Sequence, residues 1–298
     1  MPTRRSFLQS VLLSAAAPLG LRGSEFSDLP VCVFNKPLQH LDYGKQAELV
    51  AEMGFVGIEG TVRKGGHVEP ESVEKDLPRQ VEALRANGVD MTLMTTDVNN
   101  VDEEIHRRVL TTAAEQGVRQ FRMGSIKYDS DRPIPDQLKE IRGTFQEMVE
   151  FCRPLGIRPL YQNHAGAGRL GAGLWDLRWV LADIDPADAG VAFDIRHATV
   201  EGGQSWPTEF QLMRPWFGFV YCKDFIWKEG SARPQNVPLG SGRVDYSRFV
   251  SMLKKSEYDG PISLHMEYKD HRNPDLLPES IEAIRNDIGT LRELLSKA

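Results

Sequence analysis

Two short stretches of this 298-residue sequence carry side chains whose types and spacing could do chemistry. Asp194-Ile195-Arg196-His197 sets a carboxylate and an imidazole within one helical turn, directly after the apolar run Gly190–Phe193. His265-Met266-Glu267 sets an imidazole and a carboxylate two residues apart, hence on one face of an extended chain. Carboxylates with imidazole suit a single divalent ion such as Mn, Zn, Co or Mg. The same residues have plainer uses. An Asp at a strand end caps a helix, and a deep inward His fills a core layer while hydrogen-bonding a neighbour. A third stretch, Leu160-Tyr-Gln-Asn-His-Ala-Gly166, ends an apolar run in Gln162, Asn163 and His164 before the chain turns.

Positioning such groups needs a scaffold, and its elements recur at a steady beat. Eight short β-like runs are Pro30–Phe34, Phe55–Glu59, Val89–Thr95, Val118–Met123, Ile157–Gln162, Gly190–Asp194, Phe217–Lys223 and Pro261–Glu267. Four of them follow a glycine that ends a helix-period segment: Gly54, Gly88, Gly117 and Gly156. Helical periodicity marks Tyr43–Met53, Glu71–Asn87, Asp102–Gln116, Pro135–Leu155, Trp175–Asp183, Asp245–Ser256 and Pro278–Lys297, with a weak turn or two at Thr208–Arg214. Eight strands alternating with about eight helices predict a single-domain (β/α)8 TIM barrel over residues 28–298. A doubly wound sheet is the runner-up, but the turn after the first strand reads Asn35-Lys36-Pro37-Leu38-Gln39 and lacks a glycine-rich phosphate loop.

In such a barrel, chemistry belongs at the C-terminal ends of the strands. Those ends read Asn35-Lys36; Glu59 with Arg63, Lys64 and His67 beyond it; Thr95-Thr96-Asp97; Met123 leading to Lys127; Gln162-Asn163-His164; Asp194 with Arg196 and His197; Cys222-Lys223-Asp224; and His265-Met266-Glu267. They form a ring of polar spokes, and Asp194, His197 and Glu267 are its metal-like members.

Composition bounds the partners. A net charge of −6 argues against nucleic acid, whose phosphates call for a basic surface. No run of eighteen apolar residues is present. Cys32, Cys152 and Cys222 lie in apolar runs and read as small buried hydrophobes. Residues 1–27 read as a leader and linker rather than structure. Arg4-Arg5-Ser6-Phe7-Leu8 precedes the apolar run Val11–Ala17, the pattern of a twin-arginine signal, which predicts a periplasmic or otherwise exported protein.

From about Val31 to the C-terminus the chain resembles the sugar phosphate isomerase/epimerase family, the xylose isomerase-like TIM barrels. The resemblance rests on the order and spacing of Phe34-Asn-Lys-Pro-Leu-Gln39, Gly54-Phe-Val-Gly-Ile-Glu59, Asn163-His164, Phe193-Asp194 with His197, Lys223-Asp224, Pro238-Leu-Gly-Ser-Gly242 and Gly260-Pro-Ile-Ser-Leu-His-Met-Glu267. It implies one divalent metal ion, held in the ketose 3-epimerases by Glu, Asp, His and Glu. Carried over, the Asp falls on Asp194, the last Glu on Glu267, the first Glu on Gln162, and the His on Cys222, with His197 nearby. Two of the four positions thus depart from the pattern. It further implies an enediolate formed at a metal-polarised carbonyl, with two bases in the epimerases. Here Glu267 is the one carboxylate left, with a second group expected from Lys223, Asp224, His164 or Glu59. Lys36, Arg63, His67, Asp224 and Arg196 are expected to hold substrate. The resulting expectation is an exported isomerase or epimerase acting on a small carbohydrate, with a homo-oligomer compatible. A lyase similar to inosose dehydratases and a non-catalytic sugar-binding barrel are the alternatives. The three-zinc DNA-repair branch of the superfamily fits poorly, because only seven histidines are present and three of them lie off the strand ends.

Overall fold

The computed structural model describes residues 26–297. The leader expected at residues 1–27 therefore lies, apart from its last two residues, outside the described part. Eight parallel strands close into a barrel: β1 (Val31–Phe34), β2 (Gly57–Val62), β3 (Asp90–Thr96), β4 (Gln120–Arg122), β5 (Arg158–Gln162), β6 (Gly190–Asp194), β7 (Phe217–Cys222) and β10 (Ile262–Leu264). β1 closes the ring by pairing with both β2 and β10. All eight expected strands are present.

The junction glycines explain the regular beat. Gly54, Gly88, Gly117 and Gly156 all take a positive φ, between 64° and 78°, which ends each helix and turns the chain into the next strand. The helices are α1 (Tyr43–Glu52), α2 (Val73–Ala86), α3 (Glu104–Glu115), α4 (Ile134–Leu155), α5 (Trp175–Val180), α6 (Ile195–Gly202), α7 (Trp206–Met213), α8 (Tyr246–Lys255) and α9 (Leu277–Ser296). Two helices, α6 and α7, fill the segment expected to hold a turn or two. Polar Arg196, His197 and Glu201 with Gly202-Gly203 break the periodicity there, while Trp206, Phe210 and Met213 supply the buried face.

Strand alternation sorts side chains into two cores. Val33, Ile58, Met94, Phe121, Phe193, Val220 and Leu264 face the helices. Cys32, Leu93, Leu160, Ala192, Phe219 and Tyr221 fill the barrel interior. The next inward positions toward the strands' C-terminal ends are polar, and they form the site. An antiparallel hairpin, β8 (Asp224–Trp227) with β9 (Pro234–Val237), rises from β7 over this end of the barrel. It was not expected from the sequence.

Candidate functional site

A cavity of about 220 Å³ opens at the C-terminal end of the barrel. Its floor is a buried polar layer centred on Glu59. β2 continues three residues past this carboxylate, and a register shift against β3 falls between Ile58 and Glu59. Glu59 is fully buried rather than placed at the mouth. Its Oε2 receives Ser263 Oγ at 2.6 Å and lies 2.7 Å from His265 Nε2. Its Oε1 receives Tyr221 OH at 2.9 Å and the Thr95 hydroxyl. Burial acts to raise the Glu59 carboxyl, but His265, Arg122 and Ser263 outweigh it and hold it down at about 2. Burial acts to lower the His265 imidazole, and Glu59 and Glu267 outweigh that, so it is raised. The expected catalytic role of Glu59 is thus corrected: the carboxylate is saturated with donors beneath the cavity and anchors its floor.

That geometry predicts a stability effect. Glu59→Gln takes from buried His265 the nearer of its two carboxylates, leaving only Glu267 at 3.8 Å, and should destabilise the fold by roughly 3–5 kcal/mol, the usual cost of removing one partner of a buried pair. The Glu59 contribution is present above the ordinary carboxylate value of 4.5 and is lost as pH falls toward about 2. The His265 contribution is present below the ordinary imidazole value of 6.5 and is lost as pH rises through its raised value. Urea unfolding across this range should show the wild-type advantage over the variant shrinking at both ends. An advantage that does not change with pH would contradict the pair.

Above this floor the side chains at the ends of β5, β6, β7 and β10 converge. Lys223 Nζ lies 3.1 Å from Asp194 Oδ2 and 2.8 Å from Glu267 Oε2. Lys36 Nζ takes the other Glu267 oxygen at 3.2 Å. Gln162 Nε2 donates to Asp194 Oδ2 at 2.8 Å, and Gln162 Oε1 accepts from the Arg122 guanidinium. Asp194 also caps α6, its Oδ1 accepting from the His197 N–H at 3.0 Å. Burial acts to raise the Glu267 carboxyl, but Lys223, His265 and Lys36 hold it well below the usual carboxylate range. Burial acts to lower Lys223, but Asp194 and Glu267 raise it, so it is an ammonium rather than a nucleophilic amine.

These contacts decide whether the residues fit a divalent ion. The four side chains expected as ligands, Gln162, Asp194, His197 and Glu267, do come together. However, the ammonium of Lys223 bridges the two carboxylates that such an ion would need. Reversing the Gln162 amide would set its NH2 against the Arg122 guanidinium and its oxygen against Asp194, so its oxygen stays committed to Arg122. His197 Nδ1 accepts from Arg196 Nη1 at 3.0 Å, so Nε2 carries the proton and offers no lone pair. Cys222 packs in the outer core, because β7 alternation turns Lys223 inward instead. No group of three His, Cys, Asp or Glu side chains placed to hold a metal occurs among the described residues. The residues present do not fit a divalent ion, and Lys223 supplies the positive charge at that position. Gln162, Asp194, His197 and Glu267 are therefore corrected from metal ligands to members of a lysine-centred network.

Of the other expected residues, Lys36, Arg63, His164, Lys223 and Glu267 line the cavity. His164 Nδ1 bonds the Ala165 carbonyl at 2.8 Å, which leaves Nε2 as an acceptor. Burial and the neighbouring Lys223 push its imidazole down to about 4. Three expected substrate contacts lie elsewhere. His67 bonds the Leu41 carbonyl at 2.9 Å and sits 3.1 Å from both Gln46 Nε2 and Gln80 Nε2, behind the barrel wall. Arg196 is buried over the Phe225 ring and against His197. Asp224 is buried, accepting the N–H groups of Gly240, Gly242 and Val244 at 2.9–3.1 Å. A Cβ on Gly242 would come within 2.2 Å of that carboxylate, so the loop can close on Asp224 only through glycine. Arg122, Arg169 and Tyr161 line the cavity and were not expected. Arg122 had a signal: Phe121 faces the helices, so its neighbour must face the interior.

Residues 47–287 match the xylose isomerase-like TIM barrel family, and the chain belongs to it. An uncharacterized protein of Methanocaldococcus jannaschii is 27% identical over 152 residues, 49% of this chain and 50% of that protein. The chain thus spans about half the length of this curated relative. Solved structures of similar fold include a 3-keto-D-glucoside 4-epimerase from E. coli at 15% identity and TM-score 0.68, covering 89% of this chain and 99% of that one. Another is described as the probable 3-DHS dehydratase of petrobactin synthesis from Bacillus anthracis, at 15% identity and TM-score 0.65, covering 87% and 99%. A third, the IolI protein with a bound zinc atom, has 16% identity and TM-score 0.70, covering 90% and 99%. Among the described residues no helix is long and apolar enough to cross a membrane.

Proposed function

We propose that the protein is an enzyme that removes a proton from the carbon next to a carbonyl in a small sugar or keto-sugar, in the manner of a sugar isomerase or epimerase. The observation that carries this reading is Glu267, a carboxylate at the cavity wall with one oxygen on Lys223 and the other on Lys36. A substrate carbonyl entering the cavity would take N–H bonds from these ammonium groups. That contact relieves Glu267 of part of its positive surroundings and raises its basicity. As Glu267 accepts the α-proton, charge grows on the carbonyl oxygen, and Lys223 is already aimed at it. Family membership and the epimerase and dehydratase among the similar structures support this class of reaction.

A second reading, a lyase, is favoured by one observation. Gln162 stands where a second base would be needed for proton exchange on two faces, and its amide has no proton-accepting role at neutral pH. One base suffices for a 1,2-isomerisation or for elimination of a β-hydroxyl. Export behind a twin-arginine leader belongs to the same proposal, resting on Arg4 and Arg5 before the apolar run. The test is incubation of the purified chain with a panel of aldoses, ketoses and keto-sugars in D2O, read by NMR. Deuterium at an α-carbon supports the proposal, and an unsaturated product selects the lyase reading. Tight sugar binding with neither would sink it in favour of a non-catalytic barrel.

A further inference from the structure

The charge of the cavity runs against that of the chain. The sequence is acidic at −6, yet five basic side chains line the cavity: Lys36, Arg63, Arg122, Arg169 and Lys223. Only two carboxylates line it, Asp97 and Glu267. Glu267 is engaged by both lysines. Asp97 is an exposed rim residue whose Oδ2 accepts the Lys64 N–H at 3.1 Å. The three arginines remain. Among the described residues none of them has a carboxylate within 4.0 Å. Arg122 donates to the neutral Gln162 amide, and its Nε is buried with no partner. Arg169 donates to Ser125 Oγ at 2.7 Å. Arg63 lies 5.9 Å from the Phe34 ring, and its basicity is lowered by burial and by the nearby Arg122.

Grouping three guanidiniums around one small cavity costs desolvation and mutual repulsion. A neutral hydroxylated ligand would not offset that cost, whereas an anion would. Guanidinium forks match the paired oxygens of a carboxylate or of a phosphate. None of the lining residues belongs to an α-helix, so the helix N-terminus that commonly seats a phosphate ester is not part of this cavity wall, and a carboxylate is the anion the arginines favour.

We propose that the substrate is a sugar acid, its carboxylate seated on Arg63, Arg122 and Arg169 while its carbonyl end meets Lys223 and Glu267. This deepens, and rests on, the reading of the same cavity as a sugar site. The carboxylate also provides orientation, since the arginine side and the lysine-bridged Glu267 would hold the two ends of one short molecule.

The test is titration calorimetry of the full chain with D-glucuronate, D-gluconate, D-glucose and D-glucose 6-phosphate. Arg63→Gln and Arg122→Gln are run beside the wild type, with circular dichroism and unfolding to verify folding. The sugar acids should bind at least about tenfold more tightly than D-glucose, and each arginine variant should lose about 10–100-fold for the acids, the range for a charge-assisted hydrogen bond. Arg63 is only half-buried, so its variant keeps the test valid if Arg122→Gln does not fold. Equal affinity for acid and neutral sugar, preference for the phosphate ester, or no binding at millimolar concentration would overturn the proposal. Preferential binding of the acids with no α-deuterium exchange would sustain this inference and sink the proposed reaction. Exchange on a neutral keto-sugar with no preference for acids would do the reverse.

Discussion

Glu267→Gln should reduce turnover by roughly 10²–10⁴-fold, the range for removing a positioned general base, while the chain stays folded. The substitution keeps the shape of the side chain and an oxygen for one lysine, but removes the proton acceptor. Lys223 retains Asp194 at 3.1 Å, so the ammonium is not left alone in the interior. Substrate affinity should change far less than turnover, because the loss falls on the transition state. Steady-state kinetics with a thermal melt of the same sample would read both. A folded variant with near wild-type turnover would remove Glu267 from the reaction.

Lys223→Met should cost roughly 10²–10³-fold in turnover, the range for losing one donor aimed at a developing oxyanion. It carries a second signature that a structural role would not produce. Lys223 is the leading influence holding Glu267 below the usual carboxylate range, against the opposite pull of burial. Without it the Glu267 carboxyl rises, so the acid limb of the pH–rate profile should move to higher pH. The same change bears on stability. In the wild type, the depressed Glu267 contributes stability above its unfolded value that is lost as pH falls through the folded one. The variant, whose Glu267 carboxyl lies nearer its unfolded value, should lose less stability than the wild type as pH falls below the ordinary carboxylate value of 4.5. A variant whose turnover drops with no movement of the acid limb would show that Lys223 does not set the basicity of Glu267.

The barrel was legible because its signals are local. Gly54, Gly88, Gly117 and Gly156 each punctuate a helix-to-strand junction, and β-like runs of five to seven residues follow them. The hairpin of β8 and β9 was not legible. It is short and lies outside the barrel, and only Asp224 and Phe225 of its residues are buried, with Ile226 and Trp227 exposed. Within the site, Asp194, Lys223 and Glu267 were readable as strand-end polar residues, because inward alternation follows from period two. Their partners were not. Whether Lys223 bridges two carboxylates depends on the relative registers of β6, β7 and β10, which no single segment encodes. Glu59 was misplaced for a related reason. The register shift beside Ile58 and the extra length of β2 sink it beneath the cavity, and neither is visible in Gly57-Ile58-Glu59-Gly60. His67 and Asp224 are polar residues near strand ends, yet Asp224 is spent on the N–H groups of residues 240–244 and His67 on the Leu41 carbonyl and the helix residues Gln46 and Gln80.

The central claim is that the Lys223 ammonium serves at the position a divalent ion would take between Asp194 and Glu267. The most direct measurement is elemental mass spectrometry on the full chain purified without chelator or affinity metal, paired with a ligand-free melt before and after added Mn²⁺, Zn²⁺, Co²⁺ and Mg²⁺. The account predicts well under one metal ion per chain and no stabilisation by any of the four. One tightly held ion per chain, lost in Asp194→Ala and raising the melting temperature of the wild type, would contradict it.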